Sequence, residues 1–546
     1  MKIFGTVYPF VETGDASLRL GRHVANYEFL RALLRHGTFD EYHLFCLSVG
    51  HLRITRDRIL KEDIPDSQKS KVRLFLIHHL IDNLKCNRYH VFHLGGWGYF
   101  FPGLVYLRNK HACRRFPITA LIHSLNGAET AYHGLKLCTA PLLPFDTVVC
   151  SSRAGRSVLE ASFRRMCGAM AETGARIAFR GRTEIIPLGV ENDFARGVER
   201  NNCRERLGLP GKARIILSVG RLSPGTKADP YPPLLSFRML VNQNPDKELL
   251  FIIAGGGSGS EQVLVQAMVR EMRLEGMVKI LPNFDVSIKR SLYGAADIVL
   301  ALSDNLQETF GISVIEGMAA GLPVVASDLN GYKELFEHGC EGFKVPTIWL
   351  DRLALGELAD VMNFETMQLV LAQCMAVDAE AATRFMHTLL NDPSSADRMG
   401  HAGRELAKQR YLWSSVIRRY ERLWDELAME AERFTESAPI RQNVLANDYL
   451  GNFEHYPTEI LTDHHRCSLT PQGQAAMSAE SLPSPYADIA PLVEIPRIRK
   501  LLRLLNERER TIREIIEEIG SLSGKEDVVR YGLLWAAKYS LIRINA

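Results

Sequence analysis

Several common signatures are missing from this chain of 546 residues. No two cysteines bracket a two-residue gap: the ten stand at 46, 86, 113, 138, 150, 167, 203, 340, 374 and 467. That removes the usual zinc and dithiol frameworks, and it suits reduced thiols in a cytosolic protein. No apolar run approaches the roughly 20 residues that span a bilayer. MKIFGTVYPFVETGD opens as a folded strand and not as a signal peptide. An excess of charge is missing as well. Lys and Arg number 66 against 63 Asp and Glu, a net +3, too near neutral to argue for a nucleic-acid partner. The loop VETGDASLRLG after the first strand has no GxGxxG, and GGGSGS at 255–260 has no Lys-Ser/Thr behind it. A dinucleotide fingerprint and a P-loop are therefore both excluded. Asp463-His464-His465-Arg466-Cys467 has no second cluster of ligands elsewhere and reads as a polar loop, with no metal site expected.

What is present is a globular composition, 46% hydrophobic and 24% charged, in a chain long enough for two or more domains. One stretch carries most of the meaning: DIVLALSDNLQETFGISVIEGMAAGLPVVASD, 297–328. Ile298 to Leu302 has strand length. Gly311 to Ala320 reads as a short helix, with Ile312, Ile315 and Met318 on one face. Gly321 and Pro323 stop it, and Pro323 to Ala326 is a second strand. Strand, helix and strand over about thirty residues form a parallel βαβ unit. Its loop SDNLQETFG lies where ligands of such sheets bind, before a helix N-terminus suited to phosphate. Two carboxylates fall inside it, Glu308 in the loop and Glu316 in the helix, with seven residues between them. By spacing alone they serve equally as helix-dipole and surface charges or as a ligand grip.

ETFGISVIE, with LYGAADIVLALS before it and GLPVVASDLNGYKELFEHGCEGF after it, resembles the retaining family-4 glycosyltransferases of the GT-B fold. The resemblance covers roughly residues 1 to 428 and is strongest from 214 to 345. It implies an α/β chain of two Rossmann-like domains facing a cleft. Residues 1–190 would be the acceptor domain, and 191–428 the nucleotide-sugar donor domain, closed by a helix that crosses back. It implies that Glu308 contacts the donor sugar, that Glu316 contacts the ribose, and that the backbones of Phe310 and Gly311 hold phosphate or sugar.

The flanking segments supply the remaining candidates. Strands are expected at Ile3–Tyr8, Tyr42–Ser48, Val72–Ile77, Val91–Leu94, Ile118–Ile122 and Thr147–Cys150, separated by helical segments. Gly14 is the glycine of the first loop. The family's Gly-Gly is absent there, and an ordinary turn glycine explains it equally well. His93 and Trp97, in HLGGWGYF, read as core packing rather than as a sugar platform. His123 ends ITALIH, where the resemblance implies a histidine bonded to the transferred sugar. Ser151 or Ser152 is a helix cap. The arginines from 153 to 165 and from 176 to 182 form a solvated face that would also suit an acidic acceptor or an anionic membrane surface. In the second half, Ile215–Val219 and Phe251–Ala254 are strands. Arg221 and Lys227 share the loop after the first of these, suited to a pyrophosphate, though the family spaces its pair one residue closer. Asn283 and Phe284 stand where relatives hold the base. Asn330-Gly331 and Glu334 need only a turn and a cap.

Residues 429–494, rich in Ser, Pro, Asp and His, read as linker. Residues 495–546 recover periodicity as three short amphipathic helices and an apolar strand, a small winged-helix-like module. Glu514, Glu517 and Glu518 among its basic residues favour an interaction or self-association module over DNA binding. The expected activity is transfer of a sugar from a nucleotide-diphosphate donor to an acceptor of unknown identity, with retention and no cofactor, in the cytoplasm or at the membrane periphery. The alternatives are a nucleotide-sugar sensor acting through the C-terminal module, and a same-fold phosphorylase or epimerase.

Overall fold

A computed structural model describes residues 1–11, 21–191, 199–284, 286–351, 353–358, 361–435, 443, 445–479, 481–520 and 526–545. The chain divides into two units, 1–444 and 445–546.

The larger unit holds two parallel sheets. The first contains β1 (Ile3–Val7), β2 (Glu41–Cys46), β3 (Val72–Leu76), β4 (Tyr89–Leu94), β5 (Ile118–Leu121), β6 (Thr147–Cys150) and β7 (Arg182–Ile185), in the order β3-β2-β1-β4-β5-β6-β7. Every pairing is parallel. The order reverses direction between β1 and β4, so a crevice is expected at their carboxyl ends. There the backbone turns sharply, with Tyr8 and Phe10 both in left-handed conformation.

The second sheet contains β8 (Arg214–Val219), β9 (Leu249–Gly255), β10 (Val278–Pro282), β11 (Ile298–Ala301), β12 (Val324–Ser327) and β13 (Gly342–Val345), ordered β10-β9-β8-β11-β12-β13 and again all parallel. Its reversal lies between β8 and β11. A separate antiparallel pair joins β14 (Thr347–Trp349) to β15 (Met375–Val377).

The sequence placed β1 to β6, β8, β9, β11 and β12 to within a residue or two, and did not mark β7, β13, β14 or β15. In β7, RTEI has no apolar run, and its four residues are only partly buried at the sheet edge, so hydrophobic patterning could not mark it. Two doubly wound lobes on one chain are the expected GT-B architecture.

The chain passes between the lobes twice, and the two passages are bonded to each other. The Val190 N–H donates to Tyr411 O at 2.7 Å, and the Trp413 N–H donates to Val190 O at 3.2 Å. The helix Trp413–Arg433 then packs back on the first lobe. Trp424 lies against Phe4, Phe39 and His93, and its indole N–H donates to Thr119 Oγ1 at 3.1 Å. Glu421 accepts from the N–H and hydroxyl of Thr38 at 2.6 and 2.8 Å. One continuous apolar core runs from Phe4 and Phe29 through Trp413 and Tyr420 to Ile315 and Tyr332.

The smaller unit is an antiparallel sheet of β16 (Arg466–Leu469), β17 (Arg510–Thr511) and β18 (Ile542–Asn545), with β16 in the middle. The helices Ile495–Glu507 and Glu526–Lys538 cover it over a core of Ile498, Leu502, Ile512, Leu533 and Leu541. The central strand and the helix Pro471–Ser478 fall within 429–494, so that segment is not all linker. Pairing with β17 and β18 holds a strand whose own sequence, RCSL, is too short and mixed to announce itself.

The outward face of Glu526–Lys538 presents Asp527, Tyr531, Leu534 and Lys538. Acidic and apolar groups outnumber the single cation there, a poor match to DNA phosphates. The expected polar loop at 463–467 has diverging side chains: Asp463 pairs with Arg530, while Cys467 is fully buried.

Candidate active site

The loops leaving β8 and β11 face each other across the reversal of the second sheet, and they carry the predicted residues. After β11 the chain runs through a polar loop into the helix Ile312–Ala320, entered at Gly311 with φ 117°. A Cβ there would lie 2.4 Å from the Tyr332 ring. Only glycine combines that left-handed conformation with that proximity. After β8 the chain makes a tight contact with the end of β9: a Cβ on Gly255 would stand 1.5 Å from Gly220 O. We expect Gly255→Ala to push the Arg221 loop outward and lower activity at least tenfold while the protein stays folded, checked by kcat beside a thermal melt.

The two loops bring Arg221, Lys227 and Glu308 together. Glu308 is gripped by Lys227 Nζ on one oxygen, and its other oxygen accepts the Phe310 N–H at 3.2 Å. Burial alone would raise the Glu308 carboxyl, but the Lys227 charge and hydrogen bond outweigh it and hold the group below its usual value. Burial alone would lower the Lys227 ammonium, and the pull of Glu308 raises it instead. Both groups therefore stay charged at neutral pH. Arg221 is braced by Thr226 O and by Gln307 Oε1, each at 3.0 Å, and burial lowers its guanidinium from the usual arginine value.

Glu316 is only 2% exposed, so it is not the solvated surface charge its spacing allowed. Its carboxylate is held by Lys289 Nζ and by the Tyr293 hydroxyl, the latter at 2.9 Å. Lys289 and Glu28 were not singled out from the sequence. Burial raises the Glu28 carboxyl to about 7, with Lys289 lowering it and Glu316 raising it. Tyr293 lay inside LYGAAD, but a tyrosine on an amphipathic helix gives no sign of the partner it will meet.

His123 stands at the end of β5. Its Nε2 lies 2.8 Å from Gly95 O and 2.9 Å from Asn26 Oδ1. Both partners are acceptors, so Nε2 carries the hydrogen and Nδ1 is left as an acceptor. Burial pushes the imidazole down to about 4, with Gly95 O opposing and Arg22 and His23 adding, so the ring is neutral at pH 7. The His123 carbonyl accepts the Thr309 hydroxyl at 2.5 Å, which ties the histidine to the loop of Glu308.

Of the remaining candidates, Phe310 is buried beside Glu308. Asn283 exchanges hydrogen bonds with the Gly257 backbone at 3.2 and 3.3 Å. Phe284 packs on the core. Gly14 lies outside the described residues. His93 is fully buried among Phe29, Tyr420 and Trp424, a core histidine. Ser152 caps the helix Arg153–Glu172. Glu334 is a cap too, but of this first-lobe helix: it accepts the N–H groups of Arg153 and Ala154 at 2.9 and 2.8 Å. Sequence distance hid that partner.

Residues 199–354 match the family described as Glycosyl transferases group 1. Arg221, Lys227, Glu308 and Glu316 all lie within the matched segment. The group 1 segment has curated relatives. A D-inositol 3-phosphate glycosyltransferase of Corynebacterium urealyticum is 32% identical over 189 residues, 33% of this chain and 43% of the relative. One from Thermobispora bispora is 31% identical over 188 residues, 33% of this chain and 42% of the relative. The chain thus spans less than half the length of these relatives. Among solved structures, Anabaena HepE in complex with UDP and glucose has a TM-score of 0.52 at 16% identity, covering 77% of this chain and 98% of that one. Sucrose-phosphate synthase from Thermosynechococcus elongatus has a TM-score of 0.52 at 18% identity, covering 79% and 100%. These likenesses establish the GT-B fold around the group 1 segment. No helix among the described residues is long and apolar enough to cross a membrane.

Proposed function

We propose that this chain is a glycosyltransferase that takes a hexose from a nucleotide-diphosphate sugar and passes it to an acceptor in the cleft with retention of configuration. The observation that carries this reading is the meeting of Arg221, Lys227 and Glu308 at the reversal of the second sheet, beside the N-terminus of the helix Ile312–Ala320. Curated relatives named for glycosyl transfer, and a same-fold protein complexed with UDP and glucose, support it.

Arg221 and Lys227 face the pyrophosphate and stabilise the negative charge that grows as the bond from the anomeric carbon to phosphate oxygen breaks. The backbone N–H groups of Phe310 and Gly311 at the helix N-terminus add to this, that of Phe310 shared with Glu308. Glu308, held ionised, accepts hydrogen bonds from the sugar hydroxyls. Neutral His123 offers Nδ1 to the same sugar. The acceptor oxygen bonds to the anomeric carbon on the face that the phosphate leaves, and its proton passes to the departing phosphate oxygen. Glu316 takes the ribose hydroxyls, with Lys289 and Tyr293 holding its carboxylate, while Asn283 and Phe284 border the base. These cations and N–H groups supply the counter-charge, so no metal is required.

The test is a panel of UDP-, GDP- and ADP-sugars, scored for binding and slow hydrolysis with and without EDTA. We expect one donor to bind and turn over equally in both buffers. Binding of none would sink the reading. Glu316→Gln should weaken nucleotide affinity about tenfold, the discrimination of one charged hydrogen-bond partner, with kcat changed less than about threefold. The anomeric configuration of the product, read by NMR, tests retention.

A further inference from the structure

A second cavity, of about 130 Å³, lies at the seam of the two lobes. It shares Phe310 with the proposed donor site and includes none of Arg221, Lys227, Glu308 or Glu316. Its wall carries three guanidiniums, those of Arg153, Arg410 and Arg419, and one carboxylate, Glu334. The four side chains leave two uncompensated positive charges. Glu334 is already committed to the backbone N–H groups of Arg153 and Ala154, so the helix N-terminus is filled and is not the vacancy. None of the three arginines, all exposed, makes an ion pair among the described residues; Arg419 donates to Ile185 O at 3.2 Å, and partial burial, opposed by Tyr411 and Tyr420 and joined by Arg422 and Arg410, holds its guanidinium below its usual value. Like charges gathered around a hollow without a counter-ion repel, the more weakly where solvent screens them, and an anion relieves that repulsion. Guanidiniums grip tetrahedral oxyanions in bidentate fashion, and the cavity has room for one such group.

We infer that this seam cavity is a binding site for a phosphate-type dianion, held by Arg153, Arg410 and Arg419. The group is inorganic phosphate, a phosphorylated small molecule or a lipid phosphate head group. Ser151, Ser152 and Arg153 belong to the first lobe, and Phe310, Gly331 and Glu334 to the second, so an occupant touches both. Phe310 donates its N–H to Glu308, which connects the cavity to the catalytic cleft. The inference stands independently of the donor reading.

The experiment uses the full chain. Inorganic phosphate is titrated calorimetrically at constant ionic strength into the wild type, an Arg410→Gln/Arg419→Gln double variant, and Arg221→Gln. We expect saturable binding that survives Arg221→Gln and weakens at least tenfold in the double variant. Binding lost in Arg221→Gln and kept in the double variant would put the anion in the donor cleft alone and overturn the inference. Sedimentation with phosphatidate against phosphatidylcholine vesicles is the second arm. Phosphatidate binding that needs the same two arginines assigns the head group as the source, and phosphate binding without it assigns a soluble ligand. No saturable binding in either arm also overturns the inference. A melt checks that the double variant is folded. If it is not, Arg153→Gln, with its side chain at the surface, carries the same comparison.

Discussion

Glu308→Ala is expected to lower turnover by about a hundred- to a thousandfold, the loss that follows removal of one preorganised electrostatic contact at a reacting centre, while nucleotide affinity changes by less than about threefold. The asymmetry follows from the proposed donor pose, in which Glu308 takes the sugar and Glu316, one helix turn and more away, takes the ribose. Lys227 complicates the experiment, because alanine removes the partner that keeps its buried ammonium charged. Glu308→Gln separates the two effects. The amide keeps the shape and one acceptor but not the charge that pairs with Lys227. If the sugar contact matters most, Gln should recover part of the lost kcat. If the ion pair matters most, Gln should be as slow as Ala. Steady-state kinetics beside calorimetric titration of the nucleoside diphosphate read both quantities. Equal losses in kcat and nucleotide affinity would remove Glu308 from the sugar.

The largest effect on stability is expected far from the chemistry. Arg108 and Asp146 are both completely buried and form a bidentate pair, at 2.5 and 2.7 Å. Asp146 also accepts the N–H groups of Ile118 and Leu143 at 3.1 and 2.8 Å, and Arg108 donates to Phe116 O at 2.8 Å. One pair thus fixes the entries to β5 and β6, whose far ends present His123 and Ser152. Asp146→Ala should cost about 3–5 kcal/mol, because it orphans a buried guanidinium. Replacing both residues with apolar ones of similar volume should cost much less. Urea unfolding measures this, with the transition of the first unit followed apart from any transition of residues 445–546. A loss under about 1 kcal/mol in Asp146→Ala would mean that water reaches Arg108.

Much of this was legible in the sequence where the signal is local. Strands buried on both faces are apolar runs, as at Ile298–Ala301, and a helix ending in Gly321 announces its stop. The candidate donor residues were legible as a group because Glu308 and Glu316 sit in one βαβ unit, and Arg221 and Lys227 in the loop after a neighbouring strand. What escaped depends on partners distant in the chain. Lys289 and Tyr293 acquire their role only when their helix packs beside that of Glu316. Glu334 finds Arg153 and Ala154 some 180 residues away. β16 becomes a strand only between two others, so composition alone assigned it to a linker. His123 was singled out by the resemblance, but only the bonds its Nε2 makes to Gly95 O and Asn26 Oδ1 show that Nδ1 is left as an acceptor.

The doubled crossing at Val190 and Tyr411–Trp413 has a mechanical consequence. Two strands of chain bonded side by side, with Gly189 so close to Trp413 that a Cβ would lie 2.3 Å from its ring, leave the lobes little freedom to slide or twist. Their easiest relative movement is rotation about one axis through that staple. Such a hinge opens the cleft by parting polar contacts between the facing surfaces, which among the described residues include those of Thr309 with His123 and Ser152, of Asn126 with Gln368 and of Glu334 with the first-lobe helix. At about 1 kcal/mol each, they form a catch weak enough for thermal motion to release and for a bound donor to fasten.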